Sequence, residues 1–236
     1  MQKKKWVVRL LLVLAAAVFA AGAAWAGWQA GSRYAAKQVM ADYERSSTYR
    51  RVLDGWTATL ADQYADVVFF GDSLTAGGSW GEYYVDEMVS NLGVVGDTTD
   101  QLLLRVHQPE LLMPEKCFVM IGVNDLSYGS TPEEVLPKYD RLVCRLCEMP
   151  MDVYVQSVLP VREGEIVYDV RNAEIRQLNE GIAEIAERYG VPYIDVHSAF
   201  ADERGMLDAD VSFDGLHINE AGYERWQQIL RPYVEE

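Results

Sequence analysis

Five short apolar runs alternate with helical patterns between Asp66 and the C-terminus, and that alternation restricts the fold more than any other feature of the chain. The runs are Val67 to Phe70, Val89 to Val95, Cys117 to Ile121, Val153 to Val158 and Tyr193 to Val196. Apolar runs this short, without a polar face, suit strands buried on both sides. The segments between them read as helices. Thr131-Pro132-Glu133-Glu134 is a capping box with Pro at the first position, and it opens a helix to about Glu148 in which Pro137 distorts the early turns. Ile175, Leu178, Ile182, Ile185 and Tyr189 share one helical face, which Gly190 and Pro192 end. Asn219 caps a last helix to about Tyr233. The expectation is an α/β fold: three layers, α/β/α, around a five-stranded parallel sheet of flavodoxin-like type. In such sheets ligands bind beyond the carboxyl ends of the strands.

Four clusters fall at those places. Gly71-Asp72-Ser73-Leu74 follows the first run, Gly93-Val94-Val95-Gly96-Asp97 the second, and Gly122-Val123-Asn124-Asp125 the third; Asp214-Gly215-Leu216-His217 precedes the last helix. Ester hydrolysis by a serine needs a hydroxyl nucleophile, a base for its proton and donors for the oxyanion. Ser73 is the candidate nucleophile, on a turn that Gly71 lets bend. The chain has three histidines. His107 reads as a surface residue. His197, behind Asp195, competes with His217, which has Asp214 one helical turn before it to orient the ring. A histidine base implies a rate that falls below about pH 6–7. The backbone N–H groups of Ser73 and Gly96 and the amide of Asn124 are the candidate oxyanion donors. Taken singly, each cluster also reads as an ordinary turn or cap.

Together and in this order, the four clusters resemble the blocks of the SGNH, or GDSL, serine hydrolase superfamily. The resemblance covers about 170 residues, from Asp66 onward. It implies a catalytic set of Ser73, Asp214 and His217, with an oxyanion hole of Ser73, Gly96 and Asn124, and no cofactor. It implies acyl transfer to Ser73 and release by water. Members of this compact type resemble lysophospholipases, thioesterases and acetylhydrolases of lipids or sugars. A Gly-x-Ser-x-Gly elbow is absent, which speaks against the ordinary α/β-hydrolase arrangement. Asp208, Asp210 and Asp214 do not have the spacing of a calcium loop, so no metal is expected. Gly77 to Trp80 and the loop from Leu159 to Val167 are candidates for shaping the acyl pocket, with ordinary packing as the alternative for Trp80. Cys117, Cys144 and Cys147 are odd in number and read as core residues, a local Cys144–Cys147 bridge aside.

The N-terminus lies outside the resemblance. Leu10 to Trp28 is a run of 19 uncharged residues. As a helix it spans roughly 28 Å, close to the hydrocarbon thickness of a bilayer. Lys3, Lys4, Lys5 and Arg9 precede it, so the flanking tip stays inside and the body outside the cytoplasm. The run reads as a membrane anchor over residues 1–28. A cleaved secretory signal ending at Ala24-Trp25-Ala26 is the alternative. Residues 29–65 read as a helical stalk, in which Ser46, Ser47 and Thr48 start a helix to about Gln63, and residues 66–236 as the hydrolase domain. Beyond residue 41 the chain carries 15 basic and 36 acidic residues, a net charge of −21. Such a body repels phosphate backbones, which excludes a nucleic-acid partner. The leading expectation is a membrane-tethered extracytoplasmic esterase acting on lipid or sugar esters. An acetyltransferase or deacetylase of cell-wall or exported polysaccharide is the alternative. A non-catalytic binding module is a third reading, which the complete residue set opposes.

Overall fold

The computed structural model describes Gln38 and residues 47–61, 63–166 and 169–236. The elements run, in chain order, α1 (Ser47–Leu60), β1 (Val67–Gly71), α2 (Ser73–Ala76), α3 (Trp80–Tyr83), β2 (Val89–Gly93), α4 (Thr99–Leu104) and α5 (Gln108–Leu111). They continue with β3 (Lys116–Met120), α6 (Val123–Ser127), α7 (Pro132–Cys147), β4 (Asp152–Gln156) and α8 (Asn172–Tyr189). The chain ends with β5 (Tyr193–Ile194), α9 (His197–Phe200), a 3₁₀ turn (Ala209–Val211) and α10 (Glu220–Val234). The strands form one parallel five-stranded sheet in the order β2-β1-β3-β4-β5.

Register explains the core. Phe69 of β1 lies opposite Phe118 of β3, which lies opposite Tyr154 of β4. Their rings stack in a row, at 5.2 Å and 4.6 Å between centroids. Trp80 extends the row at 4.1 Å from Phe69 and meets Trp226 of α10 edge to face at 5.0 Å. This row fills one face of the sheet. Successive strand residues point to opposite faces, so Phe70 fills the other. There α4 packs on α7 and α7 on α8.

The helix boundaries follow their caps. Thr98 and Gln101 form a capping box before α4, and Thr131 and Glu134 another before α7. Pro137 sits within an unbroken α7. Gly190, at φ +66°, ends α8 in the left-handed conformation that the sequence suggested. Asn219 accepts from the Gly222 N–H to start α10.

β3 ends one residue before its apolar run does, at Met120, and three strands end two residues sooner than theirs. β2 stops at Gly93: the Val94 N–H makes the last ladder bond, to the Gly71 carbonyl, and the Asp97 N–H then turns back to the Val94 carbonyl. β4 stops at Gln156: the Asn179 side chain takes both the N–H and the carbonyl of Val158, at 2.8 Å and 2.9 Å. β5 stops at Ile194, where the Val196 N–H folds back to the Ile194 carbonyl. No helix among the described residues is long and apolar enough to cross a membrane. The uncharged run at 10–28 lies outside those residues.

Candidate functional site

The carboxyl ends of three adjacent strands are in register: Gly71 of β1 pairs with Gly93 of β2 and with Met120 of β3. Ser73, Gly96 and Asn124 follow those residues by two, three and four positions, so one edge of the sheet carries all three. The Asn124 amide joins two of the loops directly, donating to the Asp97 carbonyl at 2.9 Å. Asp125 adds a second tie by accepting from the N–H and hydroxyl of Thr99 at 2.9 Å and 3.1 Å.

Ser73 is the first residue of α2, and Asp72 caps that helix by accepting from the Leu74 N–H at 3.0 Å. The turn requires glycine at 71: a Cβ there would lie 2.2 Å from the Thr75 hydroxyl and 2.4 Å from the Met120 carbonyl. Asn91 fixes the far end of α2. Its amide donates to the carbonyls of Thr75, Ala76 and Gly78, and its oxygen accepts from the Gly93 N–H.

The histidine arrives from the other end of the chain. Ser73 Oγ lies 3.0 Å from His217 Nε2, and His217 Nδ1 lies 2.7 Å from Asp214 Oδ2. Asp214 Oδ1 also accepts from the backbone N–H groups of Leu216 and His217, at 2.9 Å and 2.7 Å. Burial disfavours the Asp214 charge, but the bonds from the His217 ring and from these two N–H groups outweigh it and hold its carboxyl below the usual range. An ionised carboxylate only accepts. The ring proton therefore sits on Nδ1, which leaves Nε2 as an acceptor for the Ser73 hydroxyl.

The loop that carries this pair depends on Gly215, whose φ is +84°. A Cβ there would lie 3.1 Å from Arg162 Cβ and from Ile166 Cγ2. Arg162 N–H donates to the Gly215 carbonyl at 2.8 Å, so the loop after β4 buttresses this turn.

His197 is placed elsewhere. Its Nδ1 lies 2.9 Å from the Val158 carbonyl and 3.3 Å from the Asn179 amide, and its N–H donates to Ser157 Oγ. His107 is exposed at the start of α5. Trp80 belongs to the core: it is 1% exposed, and its indole donates to the Thr75 carbonyl at 2.9 Å. Asp208 caps the 3₁₀ turn and pairs with Arg225 at 3.1 Å. Cys117, Cys144 and Cys147 are free thiols.

Three acids lie behind the site, all nearly inaccessible: Asp72, Asp97 and Asp125. Burial pushes Asp72 and Asp125 each up to about 7, against hydrogen bonds from Leu74 and Thr99 respectively. Burial lifts Asp97 to about 6 against the pull of Arg105. Asp72 Oδ2 has no hydrogen-bond partner among the described residues. Sequence reasoning gave no role to Arg105 or Asn91, because neither belongs to a reactive residue type and most of their contacts are to backbone carbonyls remote in sequence.

A nucleophile–base–acid chain at hydrogen-bond spacing, beside backbone and amide donors on neighbouring loops, can carry acyl transfer. Residues 69–225 match the model of the GDSL-like lipase/acylhydrolase family. The chain is 27% identical over 211 residues to platelet-activating factor acetylhydrolase IB subunit alpha2 of Rattus norvegicus, covering 86% of this chain and 87% of that protein. It is 25% identical over 177 residues to N-acylneuraminate cytidylyltransferase of Streptococcus agalactiae, covering 75% of this chain but only 40% of that enzyme's length. Among solved structures, a GDSL-like lipase of Bacteroides thetaiotaomicron superposes with a TM-score of 0.67 at 22% identity, covering 79% of this chain and 97% of that one.

Proposed function

The chain belongs to the GDSL-like lipase/acylhydrolase family, and from that premise we propose that Ser73, His217 and Asp214 are the catalytic triad of a serine esterase acting through an acyl-enzyme. The observation that carries the proposal is the continuous chain of contacts from Ser73 Oγ through His217 to Asp214, at 3.0 Å and 2.7 Å. His217 Nε2 takes the hydroxyl proton as Oγ attacks the ester carbonyl, and returns it to the leaving alcohol. Asp214 holds the ring and steadies the imidazolium. A water deprotonated by the same nitrogen then releases the acid.

Three donors face the developing oxyanion. They are the Ser73 N–H, the Gly96 N–H and the second hydrogen of the Asn124 amide, whose first is committed to Asp97. The Gly96 N–H makes no hydrogen bond among the described residues. Gly96 is at φ +83°, a conformation that favours glycine. The substrate class we favour is an acyl or acetyl ester of a lipid or sugar alcohol. The likeness to an acetylhydrolase supports it. We further propose that residues 10–28 tether the enzyme to the outer face of the cytoplasmic membrane, supported by the uncharged run and its basic flank.

The test is hydrolysis of p-nitrophenyl acetate by the full chain and by its Ser73→Ala variant. Loss of turnover with an unchanged thermal melt supports the assignment. Near wild-type turnover in Ser73→Ala refutes it.

A further inference from the structure

A single buried guanidinium joins the backbone segments that carry the oxyanion donors. Arg105, at the end of α4, is 0% exposed. Its Nη2 donates to the Gly71 carbonyl at 2.9 Å, two residues before Ser73. Its Nη1 donates to the Leu92 carbonyl at 2.8 Å, at the end of β2. Its Nε donates to Asp97 Oδ2 at 2.7 Å, one residue after Gly96. Asp97 passes the constraint on, because its carbonyl accepts the Asn124 amide at 2.9 Å. One planar group therefore fixes the Ser73 turn and the Gly96 loop, and through Asp97 the rotation of the Asn124 amide.

The element that covers this group comes from before the family match, which begins at residue 69. The guanidinium lies 4.5 Å from the ring centroid of Phe70 on β1 and 5.3 Å from that of Trp56 on α1. Next to Trp56, Thr57 Oγ1 accepts from Gln108 Nε2 at 3.0 Å, and Gln108 Oε1 accepts from Arg105 Nη1 at 3.4 Å. Stacking on aromatic faces keeps a guanidinium in place where water is excluded. A lysine could supply the charge but not three divergent donors in one plane.

We infer that Arg105 is a positioning residue for the oxyanion donors, and that Trp56 and Thr57 make α1 a working part of the catalytic domain and not only a stalk. The inference rests on the proposed role of Ser73. Arg105 does not touch the reacting atoms. Its effect is on the energy of the tetrahedral anion, which the donors must meet at about 2.7–3.1 Å.

The experiment uses the full chain with p-nitrophenyl acetate, and an alkyl boronic acid as a mimic of the tetrahedral anion on Ser73. In Arg105→Lys, kcat should fall about 10–100-fold, short of the full loss of a donor. KM should stay within about threefold, and the boronate inhibition constant should rise by the factor by which kcat/KM falls. Trp56→Ala should show the same pattern at about 3–10-fold. A folded Arg105→Lys with kcat within about twofold of wild type overturns the inference, as does a lost kcat with unchanged boronate affinity, since transition-state stabilisation should move both together. Should Arg105→Lys fail to fold, Trp56→Ala decides: loss of kcat with weaker boronate binding supports the inference, and unchanged kinetics overturn it. A wild-type protein that neither cleaves the ester nor binds the boronate removes the reading of Ser73 itself, and this inference with it.

Discussion

The two halves of the site are built in opposite ways. The proposed base half, Asp214 and His217, is local and open: two residues three apart, with side chains 42% and 33% exposed, on one loop braced by Gly215. The donor half is long-range and dry. Arg105 and Asp97, at 0% and 2% side-chain exposure, join the ends of β1 and β2 to Asn124 of α6, which follows β3. The difference fits the role proposed for each half. A base must exchange protons with substrate and water, so it needs access and an orienting acid. Oxyanion donors must not reorganise as charge develops, so they need a rigid, water-poor frame.

The largest effect should come from breaking the base half. His217→Ala should lower kcat by about 10⁴-fold, the size of effect seen when triad geometry is lost, while His197→Ala should stay within about threefold because His197 is held on Val158. Steady-state kinetics on the two purified variants checks this. The reverse ranking would mean that the wrong histidine was assigned. In the donor half, Asn124→Ala should cost about 10²–10³ in kcat with little change in KM. An equal loss confined to KM would move Asn124 from oxyanion donor to substrate binding.

The halves should also differ in their response to pH. Asp72, Asp97 and Asp125 hold their protons more tightly in the folded protein than in the unfolded one. Their contribution to stability is therefore full below the ordinary Asp value and is lost as pH rises through about 6–7. Asp214 is lowered, so its contribution has the opposite sign: present at neutral pH and lost in acid. Calorimetry on the inactive Ser73→Ala protein should show a higher Tm at pH 5 than at pH 8, and Asp125→Asn should flatten that slope. A Tm that climbs steadily from pH 5 to 8 would contradict the buried-acid account.

Among the residues of the site, the smallest effect should be at the rim. Phe213 is 71% exposed, and its ring lies 6.0 Å from the His217 ring at 12°. Phe213→Ala should change stability by less than about 0.5 kcal/mol and kcat/KM by no more than about fivefold. Larger losses, measured by melting and initial rates, would show that the exposed half is more tightly organised than its accessibility implies.

The same contrast explains what was legible in the chain. Asp214-x-x-His217 is a spacing that one turn of backbone turns into a contact, so the letters alone suggested it. Ser73, Gly96 and Asn124 were legible because strand ends gather at one edge of a parallel sheet. Arg105 was not, because two of its partners, Gly71 and Leu92, lie 34 and 13 residues away and present only carbonyls, which every residue has, and nothing in the letters marks it as the partner of Asp97. For the same reason the end of β4 was misjudged: Val158 is apolar and strand-like, and a side chain 21 residues on, Asn179, takes its ladder bonds. Trp80 read as either a pocket wall or ordinary packing, because Gly77 to Trp80 follows Ser73 in the chain. Ring stacking on Phe69 makes it core.

Both halves serve the bond that Ser73 Oγ is proposed to form, so labelling that oxygen tests the account most directly. A fluorophosphonate probe reacted with the full chain, followed by proteolysis and mass spectrometry, should place one covalent adduct on Ser73, with the reaction slowed severely in His217→Ala and measurably in Arg105→Lys. An adduct on any other residue, or labelling of Ser73 at the wild-type rate without His217, would contradict it.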